Sequence, residues 1–284
     1  MKKGFLIVQP MGGLANRMRV LSFAKYITDK CGSDLKCLWS VDGDLHAPID
    51  SIFKPLPFET TNVFDRQWQM RRSKKWYKNI RAYIWLLLNR VDVWLSYDHV
   101  DTALKNDTKE ERAILTAQIV DSLRKGKMVY LSTGDYLDNC TDVSFFVPVD
   151  DIQDKINSYL SDFEHGHSYG IHIRRTDNTW AIEHSPIELF ESKINEIQLK
   201  DPMAKFYLAT DDAETAKNLC DKYGKCIVYR EKEISRTTES GIYEAVIDMW
   251  MLANMDEIYG SYWSSFSEVA SWRYNKPLQC LCKN

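Results

Sequence analysis

Short apolar runs alternate with longer helical patterns from Tyr169 to the end of the chain, and this alternation restricts the fold more than any other feature. Apolar runs of about four to eight residues are typical of buried strands, whereas apolar positions at i, i+3 and i+4 indicate helices. The pattern predicts strands at 169–174, 205–210, 226–229 and 257–259, and helices near 186–199, 212–223 and 241–254 and from Ser264 toward Arg273. Strands that alternate with helices in this way predict a doubly wound parallel sheet of the α/β class.

The first half of the chain begins with the same pattern. A length of 284 residues with 44% hydrophobic side chains is enough for two domains. The predicted elements are strands at Phe5–Val8, Leu35–Trp39 and Met128–Leu131, with the turn Met11-Gly12-Gly13 and a helix at 14–31 after the first strand. We therefore expect a second doubly wound unit over 1–150, joined to the unit over 151–284 by a polar linker at Asp138–Asp151.

Charge and cysteine content argue against several classes of protein. The formal net charge of −3 gives no reason to expect a nucleic-acid partner. Seven cysteines without a C-x-x-C pair fit neither a disulfide framework nor a zinc site, so we expect a reducing, cytoplasmic environment. The chain runs from Met-Lys-Lys directly into a strand, and no apolar run approaches the ~18–20 residues that span a bilayer. We therefore expect neither secretion nor a transmembrane anchor.

Four segments with ligand-binding side chains or glycines each follow the carboxyl end of a predicted strand. They are Gln9–Asn16, Arg174–Asp177, Thr210–Asp212 and Ser261–Phe266. In open α/β sheets, ligands bind at this edge of the sheet, so segments that are distant in sequence can meet in one crevice.

The hexapeptide His172-Ile173-Arg174-Arg175-Thr176-Asp177 closes one of these strands with two arginines. Alternate side chains of a strand face opposite ways, so His172 and Arg174 share one face. A guanidinium at the end of a strand can hold a phosphate through two parallel hydrogen bonds. Solvated or ion-paired arginines are the ordinary alternative, and convergence of the other segments is what favours the phosphate site.

The glycine turn Gly12-Gly13 enters a helix, where free backbone N–H groups and the positive end of the helix dipole can face an anion. The turn lacks the spacing of dinucleotide-binding and P-loop motifs. A tight turn packed against its own sheet is an equally good interpretation.

Two other strand ends lead directly into helix starts. Of the two carboxylates after the strand at 205–210, we assign Asp212 to the helix cap and Asp211 to a ligand such as the N1–H and amine of guanine. Ser264 and Ser265 combine two hydroxyls with helix N-terminal amides. That arrangement suits ordinary capping as well as phosphate binding.

Asp42-Gly43-Asp44 has the D-x-D spacing that can hold a divalent metal against a diphosphate. A solvated Asp-Gly turn is the alternative that we favour, because Arg174 already offers the positive charge that a metal would supply. We therefore expect no metal site.

Residues 66–90 contain eight basic side chains and no acidic one. Apolar residues recur there at helical spacing, at Trp76, Ile80, Tyr83, Ile84 and Leu87. One interpretation is an amphipathic helix that packs on its domain with its basic face in water. The other is a surface that contacts anionic lipid headgroups or a lipid-linked acceptor.

Three C-terminal motifs resemble those of the fucosyltransferase superfamily of GT-B fold, which contains the α1,2-, α1,6- and protein O-fucosyltransferases. They are His-Ile-Arg-Arg-Thr-Asp at 172–177, Tyr-Leu-Ala-Thr-Asp-Asp at 207–212, and Ala-Val-Ile-Asp-Met-Trp-Met-Leu-Ala followed by Ser-Tyr-Trp-Ser-Ser-Phe-Ser-Glu-Val-Ala. Gly12-Gly13-Leu14-Ala15-Asn16-Arg17 is similar to the family's Gly-Gly-Leu-Gly-Asn-Gln, with alanine and arginine as departures. The resemblance covers residues 169–274 and, less closely, 4–30.

The resemblance implies two Rossmann-like domains that face a central cleft, with an acceptor-side domain over 1–150 and a GDP-sugar domain over 151–284. It implies metal-independent, inverting transfer of L-fucose from GDP-β-L-fucose to a hydroxyl of a glycan acceptor, with no cofactor. The nucleotide-binding residues carried over are Gly12, Gly13, Asn16, His172, Arg174, Asp211, Asp212, Ser264, Ser265 and Phe266.

Within that mechanism, Arg174 would neutralise the β-phosphate as GDP departs. The base is open between Glu183, which aligns with a family glutamate after a one-residue gap, and Asp177. The competing interpretations are use of another GDP-sugar, a dinucleotide-dependent oxidoreductase built on the Gly12-Gly13 turn, and a catalytically silent nucleotide-sugar-binding protein. The acceptor would be recognised by residues 40–150.

Overall fold

The computed structural model describes residues 2–64, 75–135, 137–138, 140–163, 166–176 and 179–283. The chain divides into two compact units, Met1–Val147 and Pro148–Asn284. Within the described residues each unit has a five-stranded sheet whose neighbouring strands all pair in parallel. The α/β class, with two doubly wound units, is confirmed.

The N-terminal unit has a buried central strand with helices between the strands. Its strands are β1 (Phe5–Pro10), β2 (Asp34–Val41), β3 (Glu59–Phe64), β4 (Val93–Leu95) and β5 (Met128–Thr133). Its helices are α1 (Leu14–Cys31), α2 (Ile49–Ile52), α3 (Ile80–Leu88), α4 (Tyr97–Ala103) and α5 (Lys109–Arg124). The strand order is β3-β2-β1-β5-β4. β1 is buried from Leu6 to Pro10 because it has a strand on either side, as its nearly continuous apolar run predicts.

The C-terminal unit repeats this architecture. Its strands are β6 (Ser168–Ile173), β7 (Lys205–Thr210), β8 (Ile227–Val228), β9 (Glu257–Ser261) and β10 (Leu278–Leu281). Its helices are α6 (Asp150–Leu160), α7 (Thr179–His184), α8 (Ile187–Lys200), α9 (Ala213–Tyr223), α10 (Glu239–Asn254) and α11 (Ser265–Arg273). The order β10-β9-β6-β7-β8 shows that the chain runs outward from β6 to β8 and then returns to β9 on the other side of β6. The direction of winding therefore reverses between β6 and β9, where α/β sheets place their ligands.

Helix α11 packs directly against β9 because the strand offers a glycine at the contact. A Cβ atom added to Gly260 would collide with Oγ of Ser267. The helix is also held by α10, whose residues Val246 to Ala253 are all buried. This packing places the start of α11 close to the carboxyl end of β9.

Three sequence expectations differ from the structure. The strand expected at 226–229 is reduced to β8, because a 3-10 turn occupies Gly224–Cys226. The boundary between the units, after Val147, lies within the expected linker Asp138–Asp151, but the linker is not free: Phe146 is fully buried, and its ring centroid lies 5.1 Å from that of Phe53. The edge strands β3, β4 and β10 were not predicted because they are partly exposed, and β4 and β10 are also short.

Candidate functional site

The carboxyl ends of β6, β7 and β9 lie side by side in the C-terminal sheet, since the strands are parallel neighbours. Arg174 follows β6, Asp211 follows β7, and Tyr262 follows β9. The three motif segments of the C-terminal half therefore meet at one edge, at the reversal of winding between β6 and β9.

A buried hydroxyl joins the ends of β6 and β9. Oγ of Ser261 donates a hydrogen bond to the carbonyl of His172 at 3.3 Å and accepts one from the backbone N–H of Arg174 at 3.0 Å. Ser261 is 3% exposed, so this bridge is shielded from water. The backbone that carries Arg174 is thereby tied to the segment that carries Ser264.

Asp211 holds the loop that follows β6. Its carboxylate accepts hydrogen bonds from the N–H of Arg175 at 2.7 Å and from Oγ1 of Thr176 at 2.7 Å, and Oδ2 lies 3.4 Å from Nε of Arg174. Most of the accepting capacity of the carboxylate is used by these contacts. The structure thus shows Asp211 as a partner of the arginine loop, whereas the sequence analysis had assigned it to a ligand.

Asp212 caps helix α9, as the sequence analysis expected. Its carboxylate accepts hydrogen bonds from the N–H of Thr215 at 2.9 Å and from its Oγ1 at 2.5 Å. The hydrogen bond from Thr215 lowers the pKa of this carboxyl. The cap leaves Asp212 at the helix start, next to the arginine loop.

Arg175 holds the end of helix α7. Its Nη2 donates to the carbonyl of Ser185 at 2.9 Å, and its Nη1 is 3.5 Å from the carbonyl of Ile182. Partial burial lowers the pKa of this guanidinium. A cation at the carboxyl end of a helix also interacts favourably with the helix dipole.

His172 is a buried neutral imidazole at the centre of the site. It is 5% exposed, and its ring centroid lies 4.9 Å from that of Phe266. Burial, together with the nearby charge of Arg174, lowers its pKa from 6.5 to about 4. Nδ1 lies 3.5 Å from Oγ of Ser264, which joins the first and third motifs through side chains.

The first turn of α11 faces the same place. Ser264 is the N-cap residue, but its side chain makes no capping hydrogen bond. Ser265 and Phe266 follow as the first helical residues, where backbone N–H groups lack partners within the helix. Hydroxyls and amides at a helix start beside Arg174 form an arrangement that suits an anion.

The glycine turn of the N-terminal unit is organised by a buried arginine that sequence reasoning treated only as a departure. Arg17 is fully buried and donates to the carbonyl of Gly12 at 2.7 Å and to Oδ1 of Asp42 at 2.8 Å. Burial lowers the pKa of Arg17, and Asp42 opposes that shift. Asp42, the first aspartate of the D-x-D sequence, is therefore paired with Arg17. The sequence signal for this burial was the position of Arg17 on an otherwise apolar face of α1.

Gly12 and Gly13 differ in what restrains them. Gly12 has a φ of 79°, in the left-handed region that favours glycine. Gly13 is the N-cap residue of α1, and a Cβ added there would meet nothing within 4 Å. Asn16 lies one turn into α1 and accepts a hydrogen bond from Nη2 of Arg19 at 3.3 Å. The turn thus presents open backbone at Gly13.

Sequence reasoning missed a buried charged cluster behind β7. Asp248 accepts hydrogen bonds from the hydroxyl of Tyr207 at 2.6 Å and from Nη2 of Arg230 at 3.0 Å, and its Oδ2 lies 2.6 Å from Nζ of Lys232. Its signal was a single aspartate in the apolar run Ala245–Ala253. A buried carboxylate between two cations fixes the helix and the strand relative to each other.

The two residues considered as the base have different positions. Glu183 is exposed on α7, the short helix that Arg175 holds. Asp177 lies outside the described residues.

Helix α3 has apolar residues on two faces. Ala82 and Leu86 are buried against its unit, whereas Ile84, Leu87 and Leu88 are 53%, 78% and 76% exposed. All the residues of the apolar stripe expected from the sequence are therefore exposed, namely Trp76, Ile80, Tyr83, Ile84 and Leu87. Tyr77 is exposed as well. Residues 66–74 of the basic stretch lie outside the described residues. Among the described helices, none has both the length and the apolar character needed to cross a membrane.

The fold was compared with known proteins. No family model matches the chain, and no curated protein matches it. Among solved structures, the α-1,6-fucosyltransferase NodZ of Bradyrhizobium, soaked with GDP-fucose, has a TM-score of 0.63 at 18% identity over 95% of this chain and 92% of its own. An arginine-to-lysine mutant of Arabidopsis thaliana FUT1 in complex with GDP has a TM-score of 0.61 at 16% identity over 98% and 70% of the two chains.

A third similar structure is POFUT1 in complex with GDP, with a TM-score of 0.62 at 11% identity over 99% of both chains. At these identities the likeness establishes the fold, and it extends over nearly the whole chain. The GT-B architecture expected from the three motifs is confirmed.

Proposed function

We propose, from the fold that this chain shares with fucosyltransferases and from the arginine site at its C-terminal sheet, that the protein transfers L-fucose from GDP-β-L-fucose to a hydroxyl of a glycan acceptor. The observation that carries the proposal is the convergence of Arg174, His172 and Ser264 on the carboxyl edge where the winding reverses. Structures similar to this one contain GDP or GDP-fucose. A catalytically silent nucleotide-sugar-binding protein would keep the residues that bind the phosphates but would need no general base. The test of the base therefore separates the two functions.

In the proposed reaction the bond between the anomeric carbon and the β-phosphate oxygen breaks as the acceptor oxygen bonds to the opposite face of that carbon. The configuration inverts from β to α. Negative charge grows on the departing GDP, and Arg174 together with the first turn of α11 stabilises it. Because His172 is neutral, it adds no charge and serves as a rigid support between Arg174 and Phe266.

The proton of the acceptor hydroxyl must pass to a base. We assign Glu183 to this step because it is exposed on α7, directly after the arginine loop, with Asp177 as the alternative. The reaction needs no divalent metal in this proposal. Arg174 supplies positive charge to the diphosphate, and Asp42 is already held by Arg17.

The same proposal includes a peripheral contact of the enzyme with the cytoplasmic membrane face, where a lipid-linked oligosaccharide would be the acceptor. Its support is the exposed apolar face of α3 beside the exposed cations Lys75, Lys78, Arg81 and Arg90. Apolar residues and basic residues together suit an anionic interface.

Titration calorimetry with GDP, GDP-fucose, GDP-mannose and a UDP-sugar, in the presence of a chelator, tests the donor. We expect GDP and GDP-fucose to bind without metal, and Arg174→Ala to abolish transfer while the protein stays folded. Arg174→Lys should recover only part of the activity, because lysine keeps the charge but lacks the bidentate fork. Full activity of Arg174→Ala, or strict dependence on manganese, would refute the assignment.

Glu183→Gln tests the base in the same assay. Turnover should fall about 100- to 10,000-fold while the affinity for GDP-fucose is unchanged, because a general base acts on the acceptor. A nearly silent Glu183→Gln beside an inactive Asp177→Asn that still binds GDP would move the assignment to Asp177.

A further inference from the structure

Four aromatic side chains form an exposed cluster beside the arginine site. We call Trp180, His184, Tyr262 and Trp263 the aromatic platform. Trp180 is 58% exposed and Trp263 is 67% exposed. Two neighbouring tryptophans with that much apolar surface in water are unusual in a soluble domain and indicate a binding surface.

Three of the four ring contacts in the aromatic platform are stacked, and the fourth, between Tyr262 and Trp263, is edge-to-face at 5.9 Å and 62°. Trp180 and Trp263 are stacked with centroids 6.4 Å apart and 27° between their planes. Trp180 also stacks on His184 at 5.2 Å, and His184 stacks on Tyr262 at 4.9 Å. The stacking holds side chains of helix α7 and of the turn after β9 in one arrangement.

The buried Ser185 joins the end of α7 to the turn after β9. The N–H of Tyr262 donates to Oγ of Ser185 at 2.7 Å, and that hydroxyl donates to the carbonyl of Leu281 at 2.5 Å. Ser185 is fully buried. The N–H of Lys283 donates to the carbonyl of His184 at 2.8 Å. The platform is therefore preorganised, which lowers the entropy cost of binding a partner.

The backbone of Trp263 is strained. Its φ is 54°, in the left-handed region where a bulky side chain is rare. Such a conformation is unfavourable by itself and persists where the surroundings impose it. The strain accompanies an exposed tryptophan at the residue just before Ser264.

The sheet order separates the aromatic platform from the polar residues on the other side of Arg174. Trp263 follows β9 on one side of β6, whereas Asp211 and Asp212 follow β7 on the other side. The carboxylates that hold the arginine loop and cap α9 thus lie on the β7 side, away from Trp263. The platform shares its short helix with Glu183, which is the proposed base.

We infer that the aromatic platform is the acceptor subsite, and that it stacks against the apolar face of a pyranose ring whose hydroxyl receives the transferred sugar. This inference rests on the proposed function. The C–H groups on one face of a pyranose carry partial positive charge and pack against the negative face of an indole. Nδ1 of His184 lies 3.0 Å from the carbonyl oxygen of Trp180, which helps to fix the ring that stacks on both Trp180 and Tyr262.

The test uses the full chain saturated with GDP and a panel of methyl β-D-glucopyranoside, methyl β-D-galactopyranoside, methyl β-N-acetylglucosaminide and N-acetyllactosamine. Binding is measured by tryptophan fluorescence and by saturation-transfer NMR. We compare wild type with Trp180→Ala, Trp263→Ala and Trp263→Phe. Tyr274→Ala is the matched control, because Tyr274 is a 47% exposed aromatic residue of the same unit outside the platform.

We expect at least one saccharide to bind wild type and Tyr274→Ala equally, and to bind the two alanine variants at least tenfold more weakly. Trp263→Phe should restore part of the affinity, and the affinity for GDP should be unchanged in every variant. Equal saccharide binding by the alanine variants, or no binding of any saccharide to wild type, would overturn the inference. Weaker GDP binding in the alanine variants would assign the platform to the nucleotide base instead. The affinity of wild type for GDP is measured separately. Failure to bind GDP would refute the proposed function, whereas failure to bind a saccharide would refute the acceptor subsite.

Discussion

Arg174 and Arg175 are adjacent in sequence, yet their side chains have different partners. Nε of Arg174 lies 3.4 Å from Asp211, whereas Arg175 donates to the carbonyls at the end of α7. Because the loop after β6 leaves the pleated geometry, two neighbouring side chains need not alternate as they do in a strand. One arginine can therefore meet the diphosphate while the other supports the loop.

His172 makes stability depend on pH in a defined window. Its folded pKa of about 4 lies below the ordinary value of 6.5, so between these values the unfolded chain binds a proton that the folded chain does not. Stability from this group is present above pH 6.5 and is lost as the pH falls toward 4. Wild type should lose of the order of 3 kcal/mol more than His172→Gln across that range.

Urea denaturation of both proteins at several pH values between 7 and 4 measures this difference. The same carboxylates titrate in both proteins, so the difference between their unfolding free energies at each pH reports the effect of His172. Parallel stability profiles would show that His172 is protonated as readily in the folded protein as in the unfolded chain.

Local signals found some of the site residues, and long-range contacts decided the rest. The cap by Asp212 was predicted because its partner Thr215 is three residues away. The role of Asp211 was not predicted, because its partners come from another strand end 35 and 36 residues away. The burial of Arg17 likewise depends on Asp42, which is contributed by a different strand. A sequence pattern reports neighbours along the chain, whereas these contacts depend on strand order.

At the scale of elements, the short helix α7 connects the arginine site with the aromatic platform. Only Ala181 of its residues is buried, so α7 has no core of its own. Its position depends on the hydrogen bonds of Arg175 and Ser185 and on the stacking of Trp180 and His184. An element held by a few contacts responds to the loss of any one of them.

Arg175→Gln should therefore affect turnover more than donor binding. Loss of the two carbonyl contacts frees the end of α7, so we expect at least a tenfold lower kcat and a higher KM for the acceptor, with the Kd for GDP within about twofold of wild type. The loss in stability should be about 1–2 kcal/mol. Calorimetry with GDP and steady-state kinetics measure the two effects.

Arg174→Lys is the matched comparison, since it should weaken GDP binding. Arg175→Lys should recover part of the turnover by keeping one donor near Ser185. If Arg175→Gln weakens GDP binding as strongly as Arg174→Lys does, both arginines contact the donor and α7 is held by other contacts.

The predicted elements were those with long, periodic signals. β6, β7, α8 and α10 were found because their apolar residues repeat at the period of a strand or of a helix. β10 and β3 were missed, because an edge strand with one exposed side lacks a continuous apolar run. The 3-10 turn that shortens β8 has no periodic signal of its own.

At the scale of the whole molecule, α3 and the turn before it carry the largest group of exposed apolar side chains among the described residues. The exposed residues there recur at i, i+4, i+7 and i+8 from Ile80, while Ala82 and Leu86 face the core. A helix with apolar residues on both faces needs a second apolar environment. The basic residues around it have no acidic neighbours between 75 and 90. An anionic lipid surface meets both requirements.

A Leu87→Ser, Leu88→Ser double variant should lose binding to anionic vesicles. Each leucine that enters the interface contributes about 1.5–3 kcal/mol at full burial, and each nearby cation contributes about 1 kcal/mol. Co-sedimentation with phosphatidylglycerol and phosphatidylcholine vesicles, at low and high salt, measures the effect. Wild type should bind only the anionic vesicles, in a salt-sensitive way, and the double variant should bind at least tenfold more weakly.

Ile114→Ser is the control, because Ile114 is a 70% exposed apolar residue on α5. Its binding to vesicles should match that of wild type. If wild type binds neither kind of vesicle at low salt, α3 has no role at a membrane.

The parallel pairing of distant strands determines when the site can assemble during synthesis. β1 pairs with β5, and β6 pairs with β9, so each sheet joins strands from opposite ends of its unit. Contacts between residues so far apart in sequence form slowly, because the intervening chain must first be ordered. On the ribosome, the loop with Arg174 therefore emerges well before the segment with Ser264 and waits for it. A chain released before β9 has emerged would expose the unpaired edge of β6, which makes premature termination in this region a route to aggregation.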